Sequence, residues 1–193
     1  MSGGNGLGAA PSPTTFHLVC GGVGAGKTTY ARSLAAQVGA VRFSLDEWMT
    51  TLFAADAPQP LTHDWALPRV ARCEAQIRDT ATALAGLGVS SVLDLGFATA
   101  TQRSTWAAAA ADAGAGVRLH VLAVDAVERW ERVRRRNAEK GTTFAVDIDR
   151  RAFDFFERLW EEPTDEELAW APPRGDRSTL RSRSPVAGPL YTG

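Results

Sequence analysis

Short apolar runs along this chain alternate with longer stretches whose apolar positions recur at helical spacing, the mark of βαβ units around a parallel sheet. Residues 16–20 read as a first strand that ends in Gly21-Gly22, where the chain can turn sharply. Tyr30, Leu34 and Val38, four apart, predict a helix over 28–38, followed by a short strand at 40–43 and a helix at 46–53. Pro58, Pro60 and Pro68 make 54–68 read as a loop. Val70, Ile77, Ala81 and Leu84 share one face of a long helix over 69–87, closed by Gly86 and Gly88. A strand at 89–95, a helix at 101–113 and a strand at 117–124 follow. Asp125 and Glu128 resemble a capping box opening a helix that runs to about Glu139. Ile148, Ala152, Phe155, Phe156 and Leu159 mark a further amphipathic helix, and 168–170 a last short strand. Four or five parallel strands covered on both faces, an α/β three-layer αβα sandwich, is the expected architecture.

Composition narrows this to one soluble domain: 193 residues with net charge -1, 45% hydrophobic and 22% charged. A chain of this size hides roughly two thirds of its unfolded surface, enough for a core without metals or staples. No apolar stretch approaches the roughly 20 residues that span a bilayer. Residues 1–14 and 172–193, rich in Gly, Pro and Ser, read as a flexible leader and an arginine-bearing tail around a domain over 15–171. Cys20 and Cys73 fall in core-forming segments, which fits a reducing, cytoplasmic compartment. The near-zero net charge argues against broad capture of nucleic acid. Of the 21 basic residues, only Lys27 and Lys140 are lysines, so Lys27 reads as a site needing a compact ammonium.

Lys27 lies in Gly21-Gly22-Val23-Gly24-Ala25-Gly26-Lys27-Thr28, the pattern G-x-x-x-x-G-K-[ST], directly after a predicted strand and before a predicted helix. Glycines let successive backbone N–H groups turn inward around phosphate oxygens, and the helix adds its positive end. Gly22, Val23, Gly24, Ala25, Gly26, Lys27, Thr28 and Thr29 are therefore the expected nucleotide-binding residues. Lys27 would bridge the β- and γ-phosphates of ATP, and the Thr28 hydroxyl would coordinate Mg2+.

The reaction class depends on what faces the γ-phosphate. Asp46, just past the second strand, can accept a proton from an acceptor hydroxyl; helix capping, by it or by Ser44, is the alternative. Asp94 ends an apolar strand, where an acid is costly without a metal, water or basic partner. It is a Walker B-like Mg2+ or substrate residue, or a structural partner of the phosphate loop. Arg103 either reaches substrate or is solvated. Arg129, Arg132 and Arg136 share a stripe opposite Val127, Trp130 and Val133. Arg129 reads as solvated, whereas Arg132 or Arg136 could be carried onto ATP by a lid over 137–149.

Together the segments 21–29, 44–48 (Ser-Leu-Asp-Glu-Trp), 93–97 (Leu-Asp-Leu-Gly-Phe) and 132–137 (Arg-Val-Arg-Arg-Arg-Asn) resemble the compact P-loop kinases that include chloramphenicol phosphotransferase, zeta toxins and the kinase domain of polynucleotide kinase. Residues 155–167 also resemble the end of bacterial ATP-binding proteins of the same group. The resemblance implies a sheet of order 2-3-1-4-5, Asp46 as catalytic aspartate, lid arginines near 132–136, and ATP-dependent phosphorylation of a small-molecule hydroxyl. The acceptor, an antibiotic, sugar, nucleoside or nucleotide-sugar, would sit over 48–72, which holds Trp48, Phe53, His63, Asp64 and Trp65. The other reading is an ATP-driven switch acting through a protein partner. No basic channel with stacking aromatics is evident from the sequence, so a nucleic-acid substrate is not expected.

Overall fold

The computed structural model describes residues 14–139 and 147–170. The expected leader and tail, except Thr14, and the centre of the expected lid lie outside the described residues. Four parallel strands, β1 (Thr15–Cys20), β2 (Val41–Ser44), β3 (Ser91–Gly96) and β4 (Gly116–Val121), stand in the order β2-β3-β1-β4. These are the first four positions of the expected sheet. Alternation along β1 sends Phe16, Leu18 and Cys20 to one face and Val19 to the other. The first face meets Ile77 and Ala81 of α3 (His63–Gly86) and Trp106 and Ala110 of α4 (Ala100–Asp112). The second meets Ala31, Leu34 and Ala35 of α1 (Lys27–Val38). Helices on both faces of a parallel sheet give the three-layer α/β sandwich.

Two expectations are corrected. The fifth strand at 168–170 is absent among the described residues; Asp165–Leu168 form a short helix and Trp170 closes its turn. Thr164 and Glu167 satisfy each other's backbone N–H groups in a capping box, which nucleates a helix instead. The loop over 54–68 is also shorter than expected, because α3 begins at His63 and runs through Pro68. Proline there forfeits one backbone bond near the helix start. In the same turn the Arg69 guanidinium adds a side-chain bond of 2.8 Å to the Trp65 carbonyl.

On the second face, His17 of β1 and His120 of β4 meet at 3.0 Å between Nδ1 and Nε2, and the Tyr30 hydroxyl lies 2.8 Å from His120 Nδ1. Burial holds His17 down to about 4 and His120 to about 3, with the Arg118 charge adding to both. At neutral pH both rings are uncharged, so the network adds polarity beside the α1 core without a buried charge.

Candidate active site

β1 delivers the chain to the glycine loop at the C-terminal edge of the sheet, where open α/β folds place their ligands. Gly24 (φ +80°) and Gly26 (φ +91°) adopt left-handed backbone that side-chain-bearing residues rarely reach, and Gly26 caps α1. Lys27 Nζ donates to the carbonyls of Gly21 at 2.8 Å and Gly22 at 3.0 Å. Burial pulls the Lys27 ammonium below its usual basicity, and the carboxylates of Asp94 and Asp46 pull it back up. Ala25 is buried, Val23, Gly22 and Thr28 are half-buried, and Thr29 is exposed.

Asp94 sits in β3 opposite Ser44 of β2. Burial raises its carboxyl; a hydrogen bond from Thr28 and the charges of Lys27 and Arg42 oppose that rise. Arg42 reaches it at 3.2 Å and also grips Glu47, which Arg32 contacts at 2.8 Å. These two guanidiniums hold Glu47 below the usual carboxylate range. Arg42 escaped sequence reasoning, although an arginine inside a short strand flanked by apolar residues was its signal. Asp46 opens α2 (Leu45–Phe53) and is exposed; the capping oxygen is Ser44 Oγ, which accepts from Glu47 N at 3.4 Å.

The arginines of α5 (Ala126–Glu139) divide. Arg129 does not lie on a solvated face; it is 8% exposed. It donates to the carbonyls of Val124 at 2.8 Å and Val23 at 3.2 Å, and forms two bonds of 2.6 and 2.5 Å to Glu157 of α6 (Arg150–Leu159). A Cβ on Gly22 would stand 2.3 Å from its Nη1. Arg132, paired with Glu128 at 2.5 Å, carries Nη1 to 4.0 Å from where a Gly26 Cβ would lie. Glu128 thus serves Arg132; the α5 cap is Asp125, which accepts from Val127 N at 2.8 Å. Arg136 is half-buried. Of the expected lid, residues 140–146 lie outside the described residues, while Asn137 bridges to Ile148 by 2.8 and 3.4 Å bonds.

Arg103 is corrected outright. It is 0% exposed and bonds Glu167 at 2.6 and 3.1 Å, with further donations to the carbonyls of Phe97 at 3.3 Å and Glu161 at 2.9 Å. It has no surface with which to meet a ligand; it staples α4 to the end of the chain's described part. Trp48 packs edge-on against Phe43 at 6.3 Å, on the core side of α2. Trp65 and Phe53 meet at 6.5 Å with Arg69 above them, and His63 contacts Phe155 at 6.1 Å. Beside the loop, a cavity of about 390 Å³ is lined by Gly22, Val124, Asp125, Arg129, Glu157 and Trp160.

The loop carries two glycines in left-handed backbone, a lysine, and the hard oxygen pair Thr28 and Asp94. That set fits a nucleoside triphosphate, and its oxygen chemistry fits Mg2+. A family model described as "AAA domain" matches residues 16–163, and the chain belongs to that family. Its fold is that of the α/β P-loop NTPases with a parallel sheet. It is similar to a chain of the Pnkp1/Rnl/Hen1 RNA repair complex (TM-score 0.63, 18% identity, 87% of this chain and 50% of that one). This chain therefore spans about half that relative's length. It is also similar to Chaetomium thermophilum Kti12 in complex with ADP-AlF3 (0.59, 16%, 78% and 82%). A gluconokinase from Sinorhizobium meliloti 1021 gives 0.56 and 17%, over 81% and 80% of the two chains. No curated protein matches. No helix among the described residues is long and apolar enough to cross a membrane.

Proposed function

We propose that this protein is a P-loop kinase that transfers the γ-phosphoryl group of ATP to a hydroxyl of a small molecule. The observation that carries the reading is the glycine loop that leads into Lys27 and Thr28 at the sheet edge, with Asp46 exposed at the start of α2, where an acceptor can enter. The acceptor oxygen forms its bond to the γ-phosphorus as the bond to the bridging oxygen breaks and ADP leaves; Asp46 accepts the hydroxyl proton. Lys27 and the loop amides bind the phosphates. Thr28 and Asp94 would hold Mg2+, which when bound neutralises phosphate charge. Arg132, beside Gly26, is suited to offset charge on the transferring group. The kinase names among the structural relatives support the reaction class.

The test is ADP release with Mg2+ across hydroxylated acceptors, with mass analysis of the acceptor. Turnover confined to one acceptor, which gains one phosphate, is the expected result. Slow hydrolysis indifferent to every acceptor would overturn the kinase reading in favour of an ATP-driven switch. Asp46→Asn should keep ATP binding and lose turnover by orders of magnitude; Lys27→Ala should weaken both.

A further inference from the structure

We propose that the acceptor carries an oxyanion, a carboxylate or phosphate, in addition to the hydroxyl that is phosphorylated, and that Arg69 and Arg72 hold it. This rests on the kinase reading for the position of the reacting hydroxyl. Trp65, Arg69 and Arg72 stand at i, i+4 and i+7 on α3 and so form one stripe. That stripe faces the end of α2: the Arg69 guanidinium carbon lies 4.1 Å from the Trp65 ring centre and 5.6 Å from that of Phe53, and Arg72 lies 5.9 Å from Phe53. Asp46 and Phe53 are seven residues apart on α2, hence on the same side of the helix and about 10 Å apart along its axis. An acceptor that meets Asp46 at one end can reach the arginines at the other.

Both guanidiniums lie over aromatic rings, and the in-plane N–H groups of a guanidinium form the fork that carboxylates and phosphates accept. Arg69 spends one of these donors on the Trp65 carbonyl, and its Nε is shielded from solvent without a partner. Among the described residues, neither Arg69 nor Arg72 pairs with a carboxylate. The other arginines around the site are neutralised: Arg42 by Asp94 and Glu47, Arg129 by Glu157 and Arg132 by Glu128. The acceptor side of α2 thus has two cations set over aromatic rings and, among the described residues, no carboxylate bonded to either. That arrangement selects for negative charge on the ligand.

The experiment measures binding and turnover on the full chain with matched probes: gluconate against glucitol, and a nucleoside 3′-monophosphate against its nucleoside. At least one charged member should bind ten-fold or more tightly than its neutral partner. Arg72→Gln, and Arg69→Gln with it, should reduce that preference to less than threefold while leaving the Kd for ATP unchanged. The gluconate arm identifies a carboxylate and the nucleotide arm a phosphate. Equal affinity within both pairs, a preference that survives both substitutions, or binding of none of the four overturns the subsite. A charge preference that depends on the arginines, in a chain whose slow ATP hydrolysis is indifferent to every hydroxylated acceptor, sinks the kinase reading and leaves the subsite standing; phosphorylation of the neutral probes alone does the reverse.

Discussion

Arg103 and Arg69 are both helical arginines with shielded atoms, yet their surroundings have opposite character. Arg103 is enclosed, bidentate to Glu167, and bonded through Nη1 to the carbonyls of Phe97 and Glu161. Arg69 rests on Trp65 and Phe53 and meets one carbonyl and no carboxylate among the described residues. Desolvating a cation costs so much that full enclosure requires an anion beside it. Contact with an aromatic face supplies only part of that compensation and leaves the charge available. The contrast separates arginines that complete the fold from arginines that can meet something else, and burial alone would have ranked them the wrong way for function.

Substitutions sharpen that contrast in a graded way. Arg103→Ala should cost about 3–5 kcal/mol, because it strands the Glu167 carboxylate at the packed end of α4; a urea midpoint close to wild type would show that the pair is not the staple described. Glu157→Gln keeps the shape but weakens the grip on Arg129. The KM for ATP should rise about tenfold, the scale of one charge-assisted hydrogen bond, with little change in thermal stability. The buried histidines should be read by pH. Their folded values, about 4 and about 3, lie below the ordinary 6.5, so the unfolded chain takes up protons that the folded chain refuses. Stability is therefore full above pH 6.5 and falls as pH drops toward 4, and His120→Gln should flatten that fall in urea titrations stepped through this range. Smallest is Arg134→Ala: its bond to Glu131 is exposed on both sides, and its loss should move stability by less than about 0.5 kcal/mol.

Much of the fold was legible because it is local. The glycine loop, its flanking strand and helix, and the first four strands follow from periodicity and turn chemistry over short windows. What escaped was set by distance along the chain. Arg103 meets Glu167 across 64 positions, His17 meets His120 across 103, and Arg129 reaches Val23 across 106. None of these leaves a periodic trace, since each depends on which helix face turns toward which strand. The arginine stripe on α5 illustrates the limit: spacing put Arg129 and Arg132 on one side, but three residues of helix separate a guanidinium buried under the glycine loop from one reaching past it. The misplaced strand at 168–170 failed for a local reason, because the Thr164 and Glu167 signal for a helix start lay just before it and was outweighed by three apolar letters.

The contact between Gly22 and Arg129 constrains how this sequence can drift. With an arginine fork filling the space where a Cβ would point, a side chain at position 22 requires the Arg129 guanidinium to leave its place against Glu157. Gly24 faces the backbone carbonyl of the same Arg129 at 2.5 Å from its would-be Cβ, so even a smaller residue at 129 would not free it. Of two neighbouring glycines in one motif, one is thus fixed by a replaceable partner and the other by the main chain. A library randomised at 22 and 129 together should return paired changes, whereas one randomised at 24 and 129 should return glycine at 24 every time.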